Sequence, residues 1–147
     1  IGEVWAMLCL SLTLVAYLML KRYQIETLFF AIAMGLSSIL NPVLKNIFDR
    51  ERPTLLRLID ISGFSFPSGH AMGATSYFGS IIYILNRHDS GISKGVLIGL
   101  SALFILLIST SRVYLGVHYP TDIIAGIIGG AFCIVLSTLI LKKQLAI

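Results

Sequence analysis

Five long apolar runs dominate the chain: Val4 to Leu20, Leu28 to Leu44, Ala71 to Leu85, Gly95 to Ser111, and Ile123 to Leu141. In hydrocarbon a backbone must satisfy its own N–H and C=O groups, so such runs fold as helices that cross the bilayer. The hydrocarbon core takes about 20 helical residues. The third run is short for this unless its helix begins at Ser68, a good N-cap residue with Pro67 just outside it. Only 12% of residues are charged and 56% are hydrophobic, whereas a soluble domain carries about 25% charged residues. The expected fold is therefore an all-α polytopic transmembrane helical bundle with five spans, forming one integral-membrane domain over residues 1–147.

Three short polar islands interrupt this oily sequence: Lys45 to Arg52-Pro53, Pro67-Ser68-Gly69-His70, and Ser111-Arg112 through His118 to Asp122. Each sits at the end of an apolar run. Alternating span directions deliver all three to one face of the membrane, because the runs ending near Leu44 and Ser111 exit where those beginning near Ser68 and Ile123 enter. A single cation at a span end reads as a snorkelling anchor. Three cations, two imidazoles and a carboxylate on one face read as a site.

Other features are quieter. The net charge of +4 comes without a basic stripe or interleaved aromatics, so nucleic acid is excluded as a partner. Cys9 and Cys133 lie within apolar runs and read as two buried thiols with no disulfide. Gly69/Gly73, Gly95/Gly99 and Gly126/Gly130 repeat at four-residue spacing, which favours close helix packing inside the bundle. Thr54 to Ile61 reads as a short interfacial helix or an irregular loop, Asn86 to Gly91 as a solvated turn, and His88 as a residue without a role.

The islands have the chemistry of phosphate transfer. A phosphate monoester carries nearly two negative charges, and its transfer is mostly electrostatic positioning. Arg52 and Arg112 suit bidentate contact with phosphate oxygens, and Lys45 suits a point contact. Ser68-Gly69-His70 at a helix start adds backbone N–H groups and a hydroxyl. His118 and Asp122 are four residues apart, with Pro120 suited to a first helical turn. The carboxylate can fix the imidazole tautomer and free the other ring nitrogen to attack, while His70 serves as acid and then base. No cluster of carboxylates, Cys and His has metal-ligand spacing, so neither metal nor cofactor is expected; Asp49 and Glu51 are flanked by Arg50 and Arg52.

The pattern K-x6-RP, PSGH and SR-x5-H-x3-D, from Lys45 to Asp122, resembles the type 2 phosphatidic acid phosphatase (PAP2) superfamily. Its eleven defining identities are all present and span roughly half the chain. The resemblance implies a metal-independent lipid phosphatase that works through a phosphohistidine. It assigns His118 as nucleophile, Asp122 as its orienter, and His70 as general acid. It gives phosphate binding to Lys45, Arg52, Ser68, Gly69 and Arg112, with Pro53, Pro67 and Ser111 in support. The composition is similar to that of the membrane branch, which acts on phosphatidylglycerophosphate, undecaprenyl diphosphate or phosphatidic acid. Membrane members have six spans with the first motif after the third, whereas here it follows the second. The expectation is that the first span is missing from this chain, which begins at Ile1 without an initiating Met or signal-peptide pattern.

Lys21, Arg22, Arg87, Lys94, Lys142 and Lys143 fall on the face opposite the islands, so the positive-inside rule puts that face in the cytoplasm and the islands outside. The expected protein is a multi-pass enzyme of the bacterial cell membrane whose partners are the bilayer and a lipid phosphate. A lipid phosphotransferase is the alternative within the same chemistry. A non-catalytic lipid-phosphate binder or transporter would need only the cations.

Overall fold

The computed structural model describes residues 2–54, 57–88 and 92–145. Among them the chain forms helices and no strand: α1 (Gly2–Leu20), α2 (Gln24–Phe48), α3 (Gly69–His88), α4 (Ile92–Tyr114), α5 (Pro120–Ile140) and a single turn, α6 (Lys142–Leu145). Each of the five apolar runs lies within one of α1 to α5, apart from Leu141 at the end of the last. Helix α2 extends past its run at both ends, because Gln24, Glu26 and Lys45 are good helix formers that continue the backbone beyond the apolar part.

Gln24–Phe48, Lys94–Tyr114 and Pro120–Ile140 are long and apolar enough to cross a membrane, and Trp5–Leu20 is a shorter apolar helix. Helix α3 is more polar, for a reason the packing explains. It contacts α2, α4 and α5, and encloses Thr75, Ser76 and Ser80 away from the surface. A helix surrounded by other helices need not present an apolar face to lipid.

Close approach of α5 to α3 depends on two glycines. A Cβ on Gly126 would stand 2.6 Å from the Ser68 carbonyl oxygen, and one on Gly130 would stand 2.6 Å from that of Met72. The pair at Gly126/Gly130 thus packs inside the bundle, backbone against backbone. Gly95 and Gly99 instead face open space. Helix α1 leans chiefly on α2, with one hydrogen bond from Tyr77 Oη to the Leu10 carbonyl reaching across to α3. Cys133 is buried but Cys9 is exposed on α1, so the expectation of two buried thiols fails at Cys9. With few neighbours besides α2, α1 turns much of its surface outward.

The chain reverses sharply after α2. Asp49 caps that helix in the left-handed conformation (φ 44°), and its N–H is bonded to the Lys45 carbonyl. The 49–68 segment then folds back over the end of the bundle. Its described residues are not helical, so the interfacial helix is absent there; Leu55 and Leu56 lie outside the described residues. The Leu58 N–H bonds the Leu115 carbonyl, fixing this segment to the α4–α5 connection.

At the opposite end, Glu26 of α2 is buried and accepts a 2.7 Å contact from His88 Nε2, with Arg87 Nε 3.5 Å away. Tyr23 stacks on the His88 ring at 4.4 Å, and Arg87 Nη1 donates to the Leu145 carbonyl. His88 therefore joins α3 to α2, while its neighbour Arg87 reaches α6, correcting the reading of His88 as a residue without a role. The partner was invisible locally because Glu26 is 62 residues away. Of the Asn86 to Gly91 turn, residues 89–91 lie outside the described residues, and Asn86 to His88 continue α3.

Gly130→Ala should destabilise the protein by about 1–3 kcal/mol, since the added methyl would stand 2.6 Å from the Met72 carbonyl oxygen and 2.7 Å from the Thr75 Cβ, neither of which can swing aside. Gly99→Ala should be neutral or slightly stabilising. Thermal unfolding in one detergent checks the contrast. Equal melting temperatures for the two variants would contradict the α3–α5 contact.

Candidate active site

The polar islands meet at one end of the bundle. Helix α5 begins at Pro120 after Tyr119, and Asp122 in its first turn accepts the Tyr119 N–H at 2.9 Å through Oδ2. The same carboxylate, fully buried, accepts Arg50 Nη1 at 2.8 Å on Oδ1 and the Ser65 hydroxyl on Oδ2. Arg50 also lies 4.1 Å over the Tyr119 ring and donates to Thr121 Oγ1. An isolated buried carboxylate is strongly unfavourable, and these donors stabilise its charge.

His118 is buried one helical turn before Asp122, with Nδ1 3.4 Å from both Asp122 Oδ2 and Ser65 Oγ. Its other nitrogen, Nε2, lies 3.3 Å from Arg52 Nη1. Arg52 is held from behind, Nε donating to the Gly63 carbonyl and Nη1 to that of Val117. Lys45 Nζ donates to the Phe64 carbonyl. Burial, reinforced by the charges of Arg52 and Lys45, lowers the His118 pKa from 6.5 to about 4 despite the opposing pull of Asp122. The imidazole is therefore neutral at physiological pH, the form with a free lone pair.

On the α3 side, Ser68 is fully buried and caps the helix. Its hydroxyl accepts the Ala71 N–H, and its own N–H bonds the Asp122 carbonyl at 3.0 Å. Pro67 offers its carbonyl to Asn41 Nδ2, and a Cβ on Gly69 would approach Asn41 Oδ1 to 2.9 Å. A cavity of about 530 Å³ opens beside these groups, lined at its polar end by Lys45, Arg52, Gly69, His70 and His118. Its other walls come from α1 (Met7, Leu8, Ser11), α2 (Met34, Gly35, Ser38) and Gly73.

Five of the eight residues expected to act on phosphate thus share one cavity. Asp122 and Ser68 stand behind His118 and Gly69 as supports rather than as cavity walls. Arg112 is buried at the end of α4, where its carbonyl accepts the Val117 N–H. The Ser111 hydroxyl bonds back to the Ile108 carbonyl, and Pro53 offers its carbonyl to Arg57. Sequence reasoning missed Arg50, Ser65 and Asn41. Arg50 alternates with Asp49 and Glu51, which reads as a solvated or ion-paired loop, and a serine or asparagine beside an apolar run carries no local signal. Among the described residues, no group of three or more His, Cys, Asp or Glu side chains is placed to hold a metal ion.

A helical membrane bundle whose polar end gathers cations around a carboxylate-supported imidazole defines a class of anion-handling membrane proteins. Within that class the chain belongs to the PAP2 superfamily, which matches residues 26–145. It is 38% identical over 103 residues to phosphatidylglycerophosphatase B of Bacillus subtilis, covering 69% of this chain and 51% of that protein. It is 34% identical to an undecaprenyl-diphosphatase of Sulfolobus acidocaldarius, covering 74% of this chain and 50% of that protein. The chain spans about half the length of these curated relatives. The crystal structure of a transmembrane PAP2-type phosphatidylglycerolphosphate phosphatase from Bacillus subtilis superposes with a TM-score of 0.85 at 33% identity, covering 97% of this chain and 72% of that one. The helices and these relatives together make this a multi-pass bacterial membrane protein.

The His118 shift has a measurable sign. Its folded pKa lies below its ordinary value, so the unfolded state binds more protons between pH 6.5 and about 4. Its contribution to stability is complete above 6.5 and fades as pH falls through that window. In 15N-histidine spectra of detergent-solubilised protein, the resonance lost in His118→Asn should stay neutral at pH 6. Titration of that resonance near 6.5 would contradict the burial and charge argument.

Proposed function

We propose that the protein hydrolyses a lipid phosphate monoester or diphosphate through a phosphohistidine on His118, without a metal ion. The observation that carries this reading is the buried His118 imidazole with one nitrogen toward the Ser65–Asp122 pair and the other beside Arg52 at the cavity. The Nε2 lone pair attacks the terminal phosphorus, forming the P–N bond as the P–O bond to the leaving group breaks. The departing oxygen, that of the alkoxide from a monoester or of the lipid monophosphate from a diphosphate, takes a proton from His70. His70 then removes a proton from water, which cleaves the P–N bond and releases inorganic phosphate and neutral His118.

The cations fit a substrate that arrives with nearly two negative charges. Lys45 and Arg52 lie beside the attacking nitrogen, where charge concentrates on the equatorial oxygens during transfer. Gly69 lets the α3 backbone approach the phosphate, and Ser68, buried behind it, and Arg112 at the end of α4 support that binding set from outside the cavity wall. A lipid is favoured over a soluble ester because the same cavity continues between Met7, Leu8, Met34 and Gly35, where an acyl or isoprenoid chain would lie. The relatives act, by name, on phosphatidylglycerophosphate and undecaprenyl diphosphate, and both substrates present such a chain.

Orientation follows from the cations outside the site. Lys21, Arg22, Lys142 and Lys143 occupy the end opposite His118, and the positive-inside rule assigns that end to the cytoplasm. The active site then faces the extracytoplasmic leaflet.

The purified protein should release phosphate from phosphatidylglycerophosphate, undecaprenyl diphosphate or phosphatidic acid in excess EDTA. His118→Ala should lower kcat by about a thousandfold or more while retaining affinity for the lipid. Asp122→Asn should cost less, on the order of a hundredfold, because it perturbs tautomer and orientation only. Hydrolysis by His118→Ala at a near-native rate would refute the covalent step. Loss of activity in EDTA with recovery in magnesium would refute metal independence.

Orientation is checked by cysteine labelling of intact cells in a background lacking Cys9 and Cys133. Ile59→Cys should react with a membrane-impermeant maleimide, and Gln144→Cys should react only after lysis. The reverse pattern would invert the topology and leave the chemistry standing.

A further inference from the structure

We infer that Ser65 is a positioning residue through which Asp122 sets the tautomer of His118. This inference rests on the phosphohistidine reading above, and it follows from counting lone pairs. A carboxylate oxygen offers two in-plane acceptor sites. Those of Asp122 Oδ2 are taken by the Ser65 hydroxyl and by the Tyr119 N–H at 2.9 Å. The second oxygen faces Arg50 Nη1 at 2.8 Å. His118 Nδ1 lies equally far, 3.4 Å, from Oδ2 and from Ser65 Oγ. Only the serine oxygen, having given its hydrogen to Asp122, retains unused lone pairs in that direction. The Nδ1 proton therefore goes to Ser65 Oγ, and the aspartate acts on the ring by polarising the serine.

Ser65 is itself rigidly placed. It has no exposed surface, so it cannot touch substrate, and its N–H bonds the Arg50 carbonyl at 2.7 Å. Arg50 thus grips the pair twice, through its main chain at Ser65 and its guanidinium at Asp122. As Nε2 attacks phosphorus, the imidazole gains positive charge. The chain Nδ1–H to Ser65 to Asp122 stabilises that charge and leaves the proton on Nδ1 throughout. Ser65 neither takes nor gives a proton to the substrate.

The test compares Ser65→Ala and Ser65→Cys with wild type on one lipid phosphate, measuring kcat and KM separately. Ser65→Ala should lower kcat ten- to a hundredfold while KM changes less than about twofold, because the phosphate-binding groups are untouched. Ser65→Cys fills the same space with a weak hydrogen-bonding group, and its kcat should also fall. In an Asp122→Asn background, adding Ser65→Ala should cost less than about twofold, since both residues act along one path. Wild-type kcat in either single variant would overturn the role. So would a rise in KM equal to the loss in kcat/KM, or full additivity with Asp122→Asn, which marks a purely structural contribution. If Ser65→Ala does not fold, Ser65→Cys and its double variant decide by the same criteria. Failure of the phosphohistidine reading is separately visible, since His118→Ala would then remain active whatever Ser65 does.

Discussion

The whole polar end of the molecule hangs on one buried carboxylate. Asp122 gathers donors from three directions: its own helix start at Tyr119, the 49–68 segment through Arg50 and Ser65, and, through its main-chain carbonyl, the first residue before α3. Removing one partner of a buried charged network costs about 3–5 kcal/mol, because the remaining charge is left uncompensated. The same group that closes the α5 N-terminus therefore also fixes where the returning segment lies. The imidazole is seated within that arrangement, with Arg52 beside its other ring nitrogen.

Much of this was legible in the sequence, for identifiable reasons. The helices announce themselves because hydrocarbon leaves the backbone no alternative. The residues Lys45, Arg52, His70, His118 and Asp122 stand out because snorkelling explains a lone cation but not cations, imidazoles and a carboxylate together, and alternation of direction places them on one face without further information. What stayed hidden depends on the path of the chain between spans. Arg50 is flanked by Asp49 and Glu51 and looks like a solvated charge. Its value appears only once the left-handed Asp49 turns the backbone toward α5. Ser65 looks like loop filling, and Glu26 and His88 are too distant in sequence to suggest each other.

The two ends of the bundle solve different electrostatic problems. Near Glu26 both signs are present at close range, so His88 and Arg87 meet a buried acid and the end is tied shut across α2, α3 and α6. At the His118 end, Asp122 is already matched by Arg50, so the positive charges of Lys45 and Arg52 remain to face the cavity. Burial and like charge disfavour further protonation there, which is why the imidazole between them stays neutral.

That surplus has a consequence for how a catalytic cycle would end. A cavity whose walls repel one another is least comfortable when empty, and any compact dianion relieves it. On the proposed reading, the inorganic phosphate produced carries the same charge as the group transferred but lacks the lipid that filled the rest of the cavity. The resting protein would therefore be one that holds its product. The pace of successive turnovers would depend on how readily water and the next headgroup exchange for that ion, and free phosphate in the surroundings would act as a brake set by the same cations that promote the reaction.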